Sequence, residues 1–93
     1  MNQIGWNKFI KLCLQANNEA ILSTILELLL TPEEKSSIAM RYLIIIELIK
    51  QNKTQRTIAK DLQVSIAKIT RGSNELKRTS PELLDFFNNN ISD

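Results

Sequence analysis

The stretch LTPEE at residues 30–34 constrains this chain more than any other feature, and after its Pro32 no glycine or proline follows until Gly72. Thr31 is a good N-cap, Pro32 fits the first helical position, and Glu34 completes an S/T-x-x-E capping box. Glu33 and Glu34 also lie at the positive end of the helix dipole. A helix is therefore expected from here to about Lys50, where Gln51-Asn52 ends it. Its centre, YLIIIELI, is apolar nearly all round, and a helix of that kind is buried on several sides. The chain has only 93 residues, near the lower end of comfortable independent folding. One small core does not cover this helix and its apolar neighbours, so a second copy of the chain, wound into an intertwined homodimer, is the simplest cover.

The other elements follow from periodicity and punctuation. A first helix is expected over Gly5 to Ala16, with Trp6, Phe9, Ile10, Cys13 and Leu14 on one stripe. Asn17-Asn18 is a turn or N-cap signal. A second helix over about Glu19 to Leu29 carries Ile21, Leu22, Ile25, Leu26, Leu28 and Leu29 on more than one side. Thr54 caps Gln55 to Leu62, Gln63-Val64-Ser65 breaks the pattern, and Ser65 caps Ile66 to about Lys77. Ser80-Pro81-Glu82 repeats the cap-plus-proline signal, and LLDFF forms a short closing helix before the polar tail NNNISD. The expected fold is all-α with six helices in a single domain spanning 1–93. Residues 1–50 would form the dimerisation core, 54–77 the two-helix motif and 80–91 the closing helix.

Composition removes several function classes. The chain has no histidine and one cysteine. An internal disulfide, histidine-based catalysis and Cys/His metal sites are therefore excluded, and Cys13 reads as a small buried hydrophobe. No clustered carboxylate pair or activated nucleophile suggests an enzyme. No apolar run of about 18 residues free of charge suggests a membrane span, and Met1-Asn2-Gln3 lacks a basic leader, so a cytoplasmic protein is expected. The net charge of +2 is unevenly spread. Residues 50–78 hold eight basic and two acidic side chains, a net of +6, and the remainder nets −4. A basic block on an otherwise acidic chain suggests a polyanion met by one face, and its bland alternative is a solvated helical surface.

That block coincides with QRTIAKDLQVSIAKITR. Ile58, Leu62, Val64 and Ile69 hold inward positions for two helices at a steep angle, and Ala59 is small where they would cross. This is the spacing of a helix-turn-helix, although Gln63 stands where glycine is common because a left-handed backbone is often needed there. Such a motif sets its second helix in the major groove. Ser65, Ile66, Ala67 and Lys68 would lead, with Thr70 one turn on and Ser73 in the same DNA-facing set. Gln55 and Arg56 open the first helix, where backbone N–H groups suit phosphate, and Arg56 is able to pair with guanine. Lys60, Lys68, Lys77 and Arg78 read as phosphate contacts. An ordinary helical hairpin is the alternative.

At ITRGSNELK the sequence becomes more specific. With LTPEE upstream, an arginine inside MRYLIIIEL and TQR opening the hairpin, the chain resembles the tryptophan repressor family, in a short form without the N-terminal arm of longer members. The resemblance runs from about Leu28 to the last helix, and the first two helices match only in apolar character and length. It implies that L-tryptophan binds as corepressor between the DNA-reading hairpin and the dimer core. Gly72 would then leave room for a flat indole; a simple close helix–helix contact is the alternative reason for the glycine. Arg71 would hold the ligand carboxylate. Arg41 would cover the other indole face, unless it snorkels or pairs with a glutamate such as Glu47. Thr31 would touch the carboxylate, and the carbonyls of Leu28 and Leu30, from the other subunit, would accept from the ammonium.

Glu75 departs from the family's usual small residue. It would either strengthen the ammonium contact or pair with Arg71 and compete with the ligand. Ala59 and Lys68 also differ from common family choices. The implied function is an L-tryptophan-dependent repressor that binds a palindromic double-stranded DNA operator of tryptophan biosynthesis or uptake genes as a homodimer. One alternative is a DNA-binding regulator with a different corepressor or none. Another is a helical protein-interaction module, whose binding would be insensitive to salt.

Overall fold

The computed structural model describes residues 2–91; Met1 and the last two residues of the polar tail, Ser92 and Asp93, lie outside it. Six helices follow one another, and no strand occurs among the described residues: α1 (Gln3–Gln15), α2 (Glu19–Leu29), α3 (Pro32–Lys50), α4 (Gln55–Leu62), α5 (Ile66–Lys77) and α6 (Pro81–Asn90). The expected bounds of α2, α4 and α5 are met. α1 starts two residues earlier than its stripe suggested, with Gln3 Nε2 donating to Asn7 Oδ1 at 3.0 Å one turn on. α6 runs on through the asparagines, where Asn90 Nδ2 donates to the Phe86 carbonyl at 2.8 Å.

The caps account for the punctuation. Thr31 and Glu34 form the reciprocal box: the Thr31 N–H donates to Glu34 Oε1 at 2.8 Å, and the Glu34 N–H donates to Thr31 Oγ1 at 3.1 Å. Asn18 accepts from the Ile21 N–H, Thr54 from Thr57, Ser65 from Lys68 and Ser80 from Leu83. Each such bond satisfies a donor that the first helical turn leaves open. Gln63 adopts φ 58° and ψ 45°, the left-handed conformation that its place in the turn demands. The Gln63 N–H donates to Lys60 O, and Val64 N–H to Ala59 O at 3.0 Å. Gln51, with φ 56°, closes α3 in the same region. Both glutamines accept a modest steric cost that glycine would avoid.

The chain divides inside α3 into two compact units, one up to Ser36 and one from Ser37 onward. In the first unit, α1 and α2 contain no buried residue. Leu28 is 83% exposed and Leu14 79%. Trp6 stacks obliquely on Phe9, with ring centroids 5.5 Å apart. Cys13 is half-buried rather than buried, because no core surrounds it in the single chain. Glu27 accepts from Lys35 Nζ at 2.8 Å, and that hydrogen bond holds its carboxyl below the usual range.

The second unit has the core. Ile69 and Ile58 are 0% and 1% exposed, joined by Ala59 and by Ile44 of α3, with Met40, Leu48, Leu62 and Val64 packed around them. The four inward positions and the small crossing residue of the two-helix pattern thus do what their spacing predicts. Within YLIIIELI, Ile44 and Ile46 are buried, but Tyr42 and Leu43 remain exposed. Burial on several sides is therefore incomplete in one copy of the chain. Lys53, between α3 and α4, binds Glu47 at 3.2 Å and Asp61 at 3.0 Å, and these contacts, Asp61 first, hold its ammonium above the ordinary lysine value. Among the described residues no helix is long and apolar enough to cross a membrane.

Candidate ligand cleft and nucleic-acid interface

Two faces at 3–4 spacing meet in the second unit. α3 contributes Ser37, Met40, Arg41, Ile44 and Ile45; α5 contributes Lys68, Arg71, Gly72 and Glu75. Between them lies an open cleft of about 450 Å³. That volume falls within the range of about 300–1,000 Å³ usual for small-molecule sites. Four of the residues expected at the ligand, Arg41, Arg71, Gly72 and Glu75, are brought together here. Leu28, Leu30 and Thr31 belong to the first unit: Leu28 lies near the end of α2, Leu30 is its C-cap and Thr31 opens α3.

Gly72 does two jobs. A β-carbon built there would lie 3.0 Å from Ile44 Cγ2 and 3.3 Å from Leu48 Cδ1, tighter than ordinary contact. The glycine is therefore the residue that lets α5 approach α3. It also lines the cleft that the approach leaves open. The two explanations offered by the sequence are not exclusive. Its φ is not positive, so spatial room alone accounts for it.

The arginines are free to bind. Arg41 and Arg71 are exposed, and neither makes an ion pair or side-chain hydrogen bond among the described residues. The alternative partner for Arg41, Glu47, is engaged by Lys50 at 3.6 Å and Lys53 at 3.2 Å. Glu75 does not pair with Arg71; its Oε1 accepts from Arg78 Nη2, three residues on. A planar guanidinium without an internal partner is suited to a carboxylate or to the face of an aromatic ring.

Sequence reasoning missed Ser37, Met40, Ile44 and Ile45, and gave Lys68 to DNA alone although it also lines the cleft. The signal was present: Ser37 and Ile45 lie four residues either side of Arg41, and Lys68 lies three before Arg71, so each shares a helix face with an arginine already singled out.

On the helical pair itself, Arg56, Lys60, Lys68, Arg71 and Lys77 are exposed and carry no ion pair among the described residues. Lys53 and Arg78 are occupied by acids of the same chain, which reduces the cations offered outward. Gln55 Oε1 accepts from Thr70 Oγ1 at 3.0 Å, bracing the start of α4 against α5. Ser65, Ile66 and Ala67 are exposed at the start of α5, and Ser73 is half-buried.

Fold and cleft define a class: small all-α proteins in which one helix both walls a ligand-sized cleft and belongs to a basic two-helix unit. The chain belongs to the Trp repressor family, whose model, described as Trp repressor protein, matches residues 4–91. The match includes α1 and α2, which the sequence had linked to the family only through apolar character and length. A Trp operon repressor homolog from Chlamydia caviae is 41% identical over 88 residues, covering 95% of this chain and 87% of that protein. One from Chlamydia trachomatis serovar L2 is 41% identical, covering 94% and 93%. One from Mannheimia succiniciproducens is 40% identical, covering 91% and 84%. The family consists of transcription regulators, not enzymes, and its small molecule is tryptophan, acting as a corepressor and not as a prosthetic group.

Proposed function

We propose that this chain is an L-tryptophan-dependent repressor, working in the cytoplasm as an intertwined homodimer on a palindromic operator of tryptophan biosynthesis or uptake genes. The observation that carries the reading is the cleft: two unpaired guanidinium groups, Arg41 and Arg71, flank the close-approach glycine, Gly72, on a helix of the basic pair. Arg71 takes the ligand carboxylate in a forked contact. Arg41 covers one indole face, and the indole lies along the backbone at Gly72. Leu28 and Leu30 carbonyls and Thr31, from the second copy, complete the headgroup site. The exposed apolar side chains of α1 and α2, Trp6, Leu14, Ile21, Leu28 and Leu29 among them, supply the dimer interface.

In this mechanism α4 and α5 act as a helix-turn-helix. Tryptophan beneath each α5 sets the two reading helices about 34–36 Å apart, a spacing established for helix-turn-helix repressors, the Trp repressor among them, and borrowed for this chain. Ser65, Ile66, Ala67, Lys68, Thr70 and Ser73 face bases and backbone; Gln55, Arg56 and Lys77 anchor the motif to DNA. Ligand and DNA favour one conformation, so each strengthens the other's binding by the same factor.

A mobility-shift titration on candidate operators, with and without L-tryptophan, tests this: a shift that requires tryptophan is expected, and equal shifts in both lanes contradict the corepressor role. Lys77→Ala is expected to weaken binding at every sequence and to lower the salt slope by about 1. Arg56→Ala should cost about 1–3 kcal/mol on the preferred operator and relax base preference at one position. A filter-binding salt series on matched and mismatched sites distinguishes the two effects. Salt-independent binding would favour a protein-interaction module. The carboxylate of Glu75 at the cleft favours one second reading, a different amino-acid corepressor, which calorimetry against the twenty amino acids separates.

A further inference from the structure

Lys53 stands inside the basic block but faces acids of its own chain. Its Nζ lies 3.2 Å from Glu47 Oε1 of α3 and 3.0 Å from Asp61 Oδ2 of α4, so one ammonium joins the two helices. Both acids sit in the last turn of their helix, since α3 ends at Lys50 and α4 at Leu62. The carbonyl end of a helix is negative, and a carboxylate there is unfavourable on its own. A lysine offsets both acids at once, because its ammonium carries several donors on a flexible stem. It does so from the link itself. Residues 51–54 alone connect α3 to α4, and Lys53 immediately precedes the cap, Thr54. Along α3 the residues of the cleft run from Ser37 to Ile45, and Glu47 lies beyond them. The two-helix unit therefore meets α3 through an open cleft, through the buried cluster of Ile44, Ile58, Ala59 and Ile69, and through this charged contact at the link. The cleft supplies no packing, so the angle of α4 and α5 on α3 depends on the small cluster and on Lys53.

We propose that Lys53 is a positioning residue for DNA binding: it clamps α4 to the end of α3, presets the angle at which the two-helix unit meets DNA, and does not itself contact phosphate. The inference rests on the DNA-binding part of the reading above and deepens it. A ligand in the cleft braces the same unit from its other end. The clamp therefore matters most when the cleft is empty, and it lets the unit bind DNA with less help from the ligand.

The test is a mobility-shift measurement of DNA affinity on the full chain, with and without saturating L-tryptophan, for wild type, Lys53→Gln and Asp61→Asn. The probe is a duplex selected by the wild-type protein from a random-sequence pool. Both variants break the contact between Lys53 and Asp61, but they change the net charge in opposite directions. Circular dichroism melting confirms that each is folded at the assay temperature, so a loss of binding reads the angle and not the fold. Both should weaken DNA binding without tryptophan by about two- to fivefold, the scale set by partly exposed ion pairs. Both should lose less with tryptophan present. A direct phosphate contact predicts opposite signs instead, weaker for Lys53→Gln and tighter for Asp61→Asn. Opposite signs, a loss confined to one variant, or no change in either overturns the proposal. So do equal losses with and without tryptophan when the wild type responds to it. Losses in both variants beside a wild type indifferent to tryptophan remove the corepressor reading and leave the clamp. A wild type that selects no duplex removes the DNA-binding reading and this inference with it.

Discussion

Arg71→Ala is expected to lower affinity for L-tryptophan by about a hundredfold or more and to abolish tryptophan-dependent DNA binding. A forked guanidinium–carboxylate contact comprises two charge-assisted hydrogen bonds, each contributing about 1.5–3 kcal/mol. Even the lower figure for both, about 3 kcal/mol, exceeds two powers of ten in affinity. The fold should be nearly indifferent. Arg71 is exposed, has no partner among the described residues, and sits in a helix where alanine is at least as favourable. The thermal midpoint should therefore move little while calorimetric binding disappears. Arg71→Lys should fall between, since an ammonium is a point donor without the planar fork. Wild-type affinity in Arg71→Ala would show that the carboxylate lies elsewhere.

Gly72→Val is the second large effect, and it acts on two quantities together. A β-carbon alone would stand 3.0 Å from Ile44 Cγ2 and 3.3 Å from Leu48 Cδ1. Ile44 is itself buried and branched at Cβ, so it has little freedom to give way. Valine adds two methyl groups to that contact, and overpacking of this kind costs about 1–3 kcal/mol. In a domain of this size about 2 kcal/mol corresponds to a fall of roughly 8–16 °C in Tm. The valine also fills the cleft wall, so tryptophan binding should be lost. An indole slot alone would remove only the ligand response; the proximity of Ile44 and Leu48 adds the stability loss. Melting by circular dichroism, followed by calorimetry below the midpoint, reads both effects. A variant with wild-type Tm and wild-type tryptophan affinity would contradict both roles of the glycine.

These residues also show how much was legible in the sequence. The helices were, because their boundaries are written in local chemistry: the Thr31–Glu34 box and the caps at Thr54, Ser65 and Ser80 form as their spacing predicts. The packing of α4 on α5 was legible from Ile58, Ala59, Leu62, Val64 and Ile69. The left-handed turn at Gln63 was foreseeable from its place, although the residue type argued against it. Of the site, Arg41, Arg71, Gly72 and Glu75 were found, and the α3 wall of Ser37, Met40, Ile44 and Ile45 was not. The reason is physical. A helix apolar on several sides does not declare which side faces a core and which a cleft. The sequence weighed only Arg71 as an ion-pair partner of Glu75, and the carboxylate binds Arg78 instead, three residues on.

The account stands or falls on the occupant of the cleft. Crystals of the full chain grown with L-tryptophan test it most directly. The account predicts electron density for one ligand per chain, with the indole between Arg41 and the Gly72 backbone and the carboxylate in the fork of Arg71. An empty cleft at saturating ligand, or tryptophan bound away from these three residues, would contradict it.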